Sequence, residues 1–266
     1  MLDDLRVTPG SPARIAERDP GDKLGHVKEE ADERIEALVA RIDKLQHRLY
    51  GEARRSVLLV LQGLDASGKD GVVRRVFAGV NPMAVRVTSF RAPVGAELEH
   101  DYLWRIHAAL PPRGQLGIFN RSHYEDVVSV RMREIAPEKV WARRYEHIRA
   151  FERMLTDEGT TVLKVFLNVS REEQRERFQQ RIDDPVKRWK FRRDDLAVRE
   201  RFDDWIAAWE DALTETSTDH APWYVVPADR NWVKALAVAE LVATTLQRLD
   251  PELPDPDPGI EGLRVT

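Results

Sequence analysis

The sequence has no cysteine in its 266 residues. That absence removes disulfides, thiolate nucleophiles and Cys-ligated zinc together, and it suits a reducing cytoplasm. Long apolar runs are missing too. No stretch reaches the roughly 18 residues that a membrane span needs. The N-terminus, MLDDLRVTPGSPARIAERDPGD, mixes acids, bases, Pro and Gly without an apolar segment, so no secretory signal is expected. Nor is there an excess of positive charge. Lys and Arg number 42 against 46 Asp and Glu, which leaves −4 with histidine neutral. Averaged over the chain, that balance speaks against a polyanionic partner.

What the chain does contain is enough for one large core: 42% of residues are hydrophobic, 33% are charged and seven are Trp. Residues 1–24, with Pro9, Gly10, Pro12, Pro20 and Gly21, read as an N-terminal tail or a wrapping arm. From Val27 the apolar positions Ala31, Ile35, Leu38, Ile42, Leu45 and Leu49 recur at steps of three and four, the mark of an amphipathic packing helix. The period then changes. Residues 56–62, SVLLVLQ, hold a continuous aliphatic run, as expected of a strand covered on both faces of a parallel sheet. Similar runs recur at 85–89, 116–119, 162–168 and 223–226. Helix-like segments separate them, at roughly 71–79, 97–109, 138–158, 171–181, 195–213 and 231–249. This alternation predicts an α/β fold with a doubly wound parallel sheet of about five strands. One domain is expected over residues 25–249, followed by a surface tail, 250–266, with four prolines.

Directly after the first strand comes GLDASGKDG, residues 63–71, and then a helical segment. The pattern G-x-x-x-x-G-K lies in the strand–loop–helix setting that a phosphate-binding loop requires. Gly63 and Gly68 permit a backbone that aims successive N–H groups at an anion around Ala66 and Ser67, and the following helix adds its positive dipole end. Lys69 supplies a compact cation. Position 70, ordinarily a Ser or Thr that ligates Mg2+, is Asp70, and a second acid, Asp65, lies inside the loop. Two carboxylates in a phosphate cradle point to a site organised around a divalent metal.

A second cluster, residues 120–126 (NRSHYED), follows the third strand. In a doubly wound sheet it shares the crevice with the loop. Arg121 suits bidentate contact with a phosphoryl group. Asn120 stands where a Walker-B-like carboxylate would be, Glu125 and Asp126 are candidates for metal, base or nucleotide contacts, and Asp229 farther on is a candidate for nucleotide contact by position. His123 is either a phosphate-accepting nucleophile or, more in keeping with a lone histidine, a hydrogen-bonding turn residue. Farther along, Arg181, Lys187, Arg188, Lys190, Arg192 and Arg193 face only Asp183 and Asp184, a local charge of +4, and Pro185 breaks the segment in two. A mobile basic lid over about 171–201 is the functional reading; a solvated charged face is the plain one. Trp189 and Phe191 among these bases could stack on nucleic acid, but a nucleic-acid binder would leave the phosphate cradle unexplained.

GLDASGKDG, FNRSHYEDV, RIDDPVKRWKF and APWYVVPAD, in that order, resemble the polyphosphate kinase 2 family, from about Leu45 to Leu249. The resemblance implies a P-loop kinase fold like that of thymidylate kinase, with a helical lid. It implies transfer of phosphate between inorganic polyphosphate and adenine nucleotides, AMP or ADP, with Mg2+ or Mn2+ as cofactor, in a cytoplasmic homo-oligomer. Carried over by position, Lys69 holds phosphate, Asp65 and Asp70 serve the metal and acceptor side, and Arg121 clamps phosphate. Arg175, Arg181, Lys187, Arg188 and Lys190 belong to the lid or the polyphosphate channel. Branches acting on nucleoside diphosphates often carry Asp at the position of Asn120, so this chain looks more like the AMP-phosphorylating branches. Two alternatives stand beside this reading: an ATP-dependent nucleoside-monophosphate kinase, and a P-loop binding module without turnover. The second is disfavoured because the guanine-specifying N-K-x-D is absent.

Overall fold

In the computed structural model, which describes residues 2–265, the aliphatic runs form the sheet and the charged segments wrap it. In chain order the elements are α1 (Leu2–Leu5), α2 (Lys28–Glu52), β1 (Ser56–Gln62), α3 (Lys69–Phe77), β2 (Val85–Ser89), α4 (Trp104–Ala109), β3 (Leu116–Asn120) and α5 (Glu125–Met132). There follow α6 (Glu138–Trp141), α7 (Arg143–Asp157), β4 (Thr160–Asn168), α8 (Arg171–Asp183), α9 (Asp194–Glu200), α10 (Phe202–Thr216), β5 (Trp223–Pro227) and α11 (Asn231–Leu249). The strands lie in the order β2-β3-β1-β4-β5, every pair parallel. All seven residues of β1 are buried, which is why that run shows no alternation. Helices α2, α3 and α11 pack together on one face, and α5, α7 and α10 on the other.

The chain leaves β1 toward β2 and β3 on one side, then crosses to β4 and β5 on the other. The strand order therefore reverses at β1, and a crevice opens at its carboxyl end. The loop 63–68 and the segment 120–124 both emerge there, held in register by the pairing of Leu61 with Asn120.

The N-terminal residues wrap rather than trail. Leu5, Val7, Ala13 and Ile15 are buried, and Val7 N–H donates to the Trp223 carbonyl at 2.8 Å, closing the open edge of β5. Three predicted helices are divided. The segment 97–109 becomes a 3-10 turn, Gly95–Leu98, and the short α4, because the Asp101 carboxylate accepts from Leu103 N–H at 2.9 Å and starts the chain afresh. The segment 138–158 becomes α6 and α7, and 195–213 becomes α9 and α10, parted at Arg201 with φ −100° and ψ 31°. α5 was not anticipated, since its apolar residues Val127, Val128, Val130 and Met132 leave no polar stripe.

Candidate active site

The loop after β1 owes its shape to side chains that grip its carbonyl oxygens. Lys69 Nζ donates to Gly63 O at 2.7 Å and Leu64 O at 3.2 Å. Gln174 Nε2, from α8, donates to Asp65 O at 3.0 Å. Arg177 Nη1 holds Ala66 O at 2.9 Å and Ser67 O at 3.1 Å, while its Nη2 holds the Ala228 and Asp229 carbonyls at 2.7 Å each. Lys234 Nζ, from α11, donates to Ser67 O at 2.9 Å. In a trans peptide the carbonyl and the next N–H point in opposite directions. Pinning the oxygens on one side therefore turns amides to the other. Among the described residues the N–H groups of Asp65, Ala66, Gly68 and Lys69 meet no protein acceptor, and the N-terminus of α3 adds its dipole beside them. Gly63 has a reason to be bare: at φ +145° a Cβ would lie 2.7 Å from the Leu167 carbonyl.

Charged groups converge on this cradle from three elements. Arg121, in a left-handed conformation at φ 64°, forms an ion pair with Asp65 and lies 3.6 Å from Glu125. Asn120 Nδ2 donates to Asp70 at 2.8 Å, and Lys190 Nζ reaches the same carboxylate at 3.5 Å from the basic segment. Burial works against ionisation of both loop acids. For Asp65 it is outweighed by Arg121 and Lys69, and for Asp70 by the Asn120 hydrogen bond and Lys190, so both carboxyls lie below their ordinary range. Burial and the neighbouring Arg121 push Lys69 down to about 8. Glu125 and Asp65 raise the Arg121 guanidinium, so it stays a cation.

Several anticipated residues serve elsewhere. His123 is 1% exposed with Nε2 3.4 Å from Glu152, and it lies within a buried network in which Lys164 Nζ donates to Glu152 at 2.5 Å, Tyr124 OH at 2.9 Å and Thr216 O at 2.8 Å. That burial fits the turn residue and leaves a nucleophile no approach. Asp126 is buried against Arg105 at 3.1 Å, and burial raises its carboxyl despite that partner. Asp229 accepts from Ser170 N–H at 2.8 Å at the start of α8. In the basic segment, Arg181 on α8 lies over the Phe178 ring and is close enough to Asp65 to lower its carboxyl. Lys187 pairs with Asp184 at 2.8 Å, Arg188 donates to the Ile182 carbonyl at 2.8 Å, and Arg175 is exposed on α8. Gln174, Arg177 and Lys234 were missed, as was Asp195, whose carboxyl is raised by burial and by Asp65 across the site.

Among the described residues no group of three or more His, Cys, Asp or Glu is arranged to hold a metal with protein ligands alone. Mg2+ keeps most of its waters and commonly takes one or two carboxylates together with phosphate oxygens. Asp65 and Asp70, both ionised and both in the cradle, fit that role.

The family model for polyphosphate kinase 2 (PPK2) matches residues 25–254. The chain belongs to the polyphosphate kinase 2 family. Its sequence is 50% identical, over 98% of both chains, to the AMP/ADP-polyphosphate phosphotransferase of Meiothermus ruber. It is 43% identical to the ADP-polyphosphate phosphotransferase of Rhodopseudomonas palustris, over 87% of this chain and 84% of that one. Among solved structures, polyphosphate kinase 2 from Arthrobacter aurescens TC1 superposes with a TM-score of 0.92 at 40% identity, covering 96% of this chain and 92% of that one. This places the loop and the Arg121 segment on a P-loop kinase scaffold.

Proposed function

We propose that this kinase transfers the terminal phosphoryl group of inorganic polyphosphate to AMP or ADP, making ADP and ATP. The observation that carries the reading is the convergence of Lys69, Arg121 and the lid residue Lys190 on a cradle holding two ionised acids, in a chain of this family. Transfer of this kind needs alignment and charge neutralisation more than covalent help. The cradle amides and Lys69 bind phosphate oxygens once Lys69 turns from the loop's own carbonyls. Arg121 is already oriented by Asp65 and Glu125, so its guanidinium meets an incoming phosphoryl group without searching rotamers. Arg181 and Lys190 bring the lid's positive charge over the polymer. An acceptor phosphate is ionised at neutral pH, so no general base is required. Asp65 and Asp70 would hold Mg2+, which neutralises charge on phosphate oxygens when bound. No described helix is long and apolar enough to cross a membrane, and we place the reaction in the cytoplasm, within a homo-oligomer.

The test is direct. Polyphosphate, AMP and Mg2+, mixed with the enzyme and no nucleoside triphosphate, should yield ADP and then ATP, and Lys69→Ala should abolish the yield without unfolding the protein. Product formed only when ATP is the donor would establish the nucleoside-monophosphate kinase instead.

A further inference from the structure

Two lysines of this protein are buried to the same degree and treated differently. Lys164, fully enclosed, has Glu152 at 2.5 Å as its counter-charge. Lys234 is 1% exposed in the first turn of α11, whose neighbouring residues Val233, Ala235, Leu236 and Val238 are also buried. Its only hydrogen-bond acceptors among the described residues are neutral, Ser67 O at 2.9 Å and Ala228 O at 3.2 Å, and no carboxylate lies within ion-pair distance. A buried ammonium without a partner is costly, and its persistence calls for an anion that arrives later. The position says which anion. Lys234 Nζ sits directly beneath Gly68: a Cβ built there would lie 2.3 Å from it, so the bare glycine makes room for the ammonium. The carbonyl it pulls down belongs to the Ser67–Gly68 peptide, whose N–H faces into the cradle.

We propose that Lys234 is a positioning residue for phosphate binding: from behind the loop it orients the Ser67–Gly68 peptide toward the substrate and supplies a positive charge that polyphosphate completes without touching it. The inference rests on the reading of this loop as the polyphosphate and nucleotide phosphate site. Every element around Lys234 bears on its charge. Arg177 on α8 and Lys69 on α3 oppose its protonation, while Glu173 on α8 and Asp229 before α11 favour it. With burial the dominant influence, the ammonium is pushed down to about 7. A polyphosphate bound across one peptide layer restores the proton, so binding near neutral pH should be accompanied by proton uptake.

Calorimetric titration with tripolyphosphate, without nucleotide, in two buffers of different ionisation enthalpy measures affinity and proton uptake together. The wild type should take up protons at pH 7.5. Lys234→Met, which keeps the length and removes the charge, should lose Lys234's share of that uptake. It should also bind about 10-fold more weakly, the equivalent of one unit of coupled pKa shift. Lys234→Arg, permanently charged, should regain affinity without regaining the uptake. Unchanged uptake and affinity in Lys234→Met would overturn the proposal; if that variant does not fold, full wild-type uptake in Lys234→Arg overturns it equally. A wild type that fails to bind tripolyphosphate at all refutes the phosphate-site reading instead.

Discussion

Glu152 offers the sharpest test of how the Arg121 segment is anchored. Its carboxylate is 0% exposed and accepts from Lys164 at 2.5 Å and Tyr124 OH at 2.8 Å, with His123 Nε2 at 3.4 Å. His123 and Tyr124 lie two and three residues past Arg121, so the network fixes the chain that carries the Arg121 side chain. Glu152→Gln keeps the shape and removes the charge, leaving Lys164 a buried ammonium with only neutral acceptors. Breaking such a pair costs about 3–5 kcal/mol. For a large domain each kcal/mol shifts Tm by about 2–4 °C, so a fall of about 6–20 °C is expected. Differential scanning calorimetry at pH 7.5 measures it, with near-ultraviolet circular dichroism on the same samples. Burial would raise the Glu152 carboxyl, but Lys164 and His123 outweigh it and hold the carboxyl below its ordinary value of 4.5. Stabilisation from Glu152 is therefore complete above about that pH and lost as pH falls through the lower folded value, so the gap between variant and wild type should close in acid. The double replacement Glu152→Leu with Lys164→Met removes both charges and should recover most of the loss. A single variant within about 1 kcal/mol of wild type would refute the claim that this pair is an ionised, uncompensated-when-broken unit.

Two further outcomes follow from the cradle. Lys190→Ala removes a half-exposed pair with Asp70 that is worth about 0–1 kcal/mol, so Tm should hardly move; KM for polyphosphate should rise and lose part of its salt dependence, and an unchanged KM would mean the lid does not meet the polymer. Asn120→Asp replaces the donor on Asp70 with a second carboxylate at hydrogen-bond distance, raising the Asp70 carboxyl, so the acid limb of the pH–rate profile should move to higher pH.

Much of the scaffold was legible because its physics is local. An aliphatic run such as 57–61 has no stable place except a sheet covered on both faces, and residues 63–69 can form only a turn that exposes amides ahead of a helix. Helix boundaries were harder. The interruption at Asp101 depends on a side chain finding one backbone N–H, and the division at Arg201 on a single residue's dihedral angles. Neither alters hydrophobic periodicity. Asp65, Asp70, Asn120, Arg121 and Lys190 were also legible, since the loop motif and the shared crevice bring them together. Gln174 and Arg177 were not, because α8 carries so many charges that it reads as a solvated helix. A clue lay in Gln174 and Phe178, one turn apart and both buried: they mark the inward face, and Arg177 stands beside it.

Lys164 and Lys234, both buried, show why the charge tally misled. Each interrupts an apolar run, Lys164 within VLKVFL and Lys234 within VKALAVAELV, where a cation belongs only if something inside receives it. A net charge of −4 counts both as though they faced water. Coulombic interactions scale inversely with the local dielectric, so one buried cation outweighs several exposed acids at the same distance. Glu152 cancels Lys164 on the spot. Lys69, Arg177 and Lys234, by contrast, all donate to carbonyl oxygens of one short loop, and Arg121 faces it from the next strand. A phosphate chain entering the crevice meets that local concentration of positive charge at low dielectric, while the acids that set the overall sign stand mostly in water, where salt screens them beyond about 10 Å.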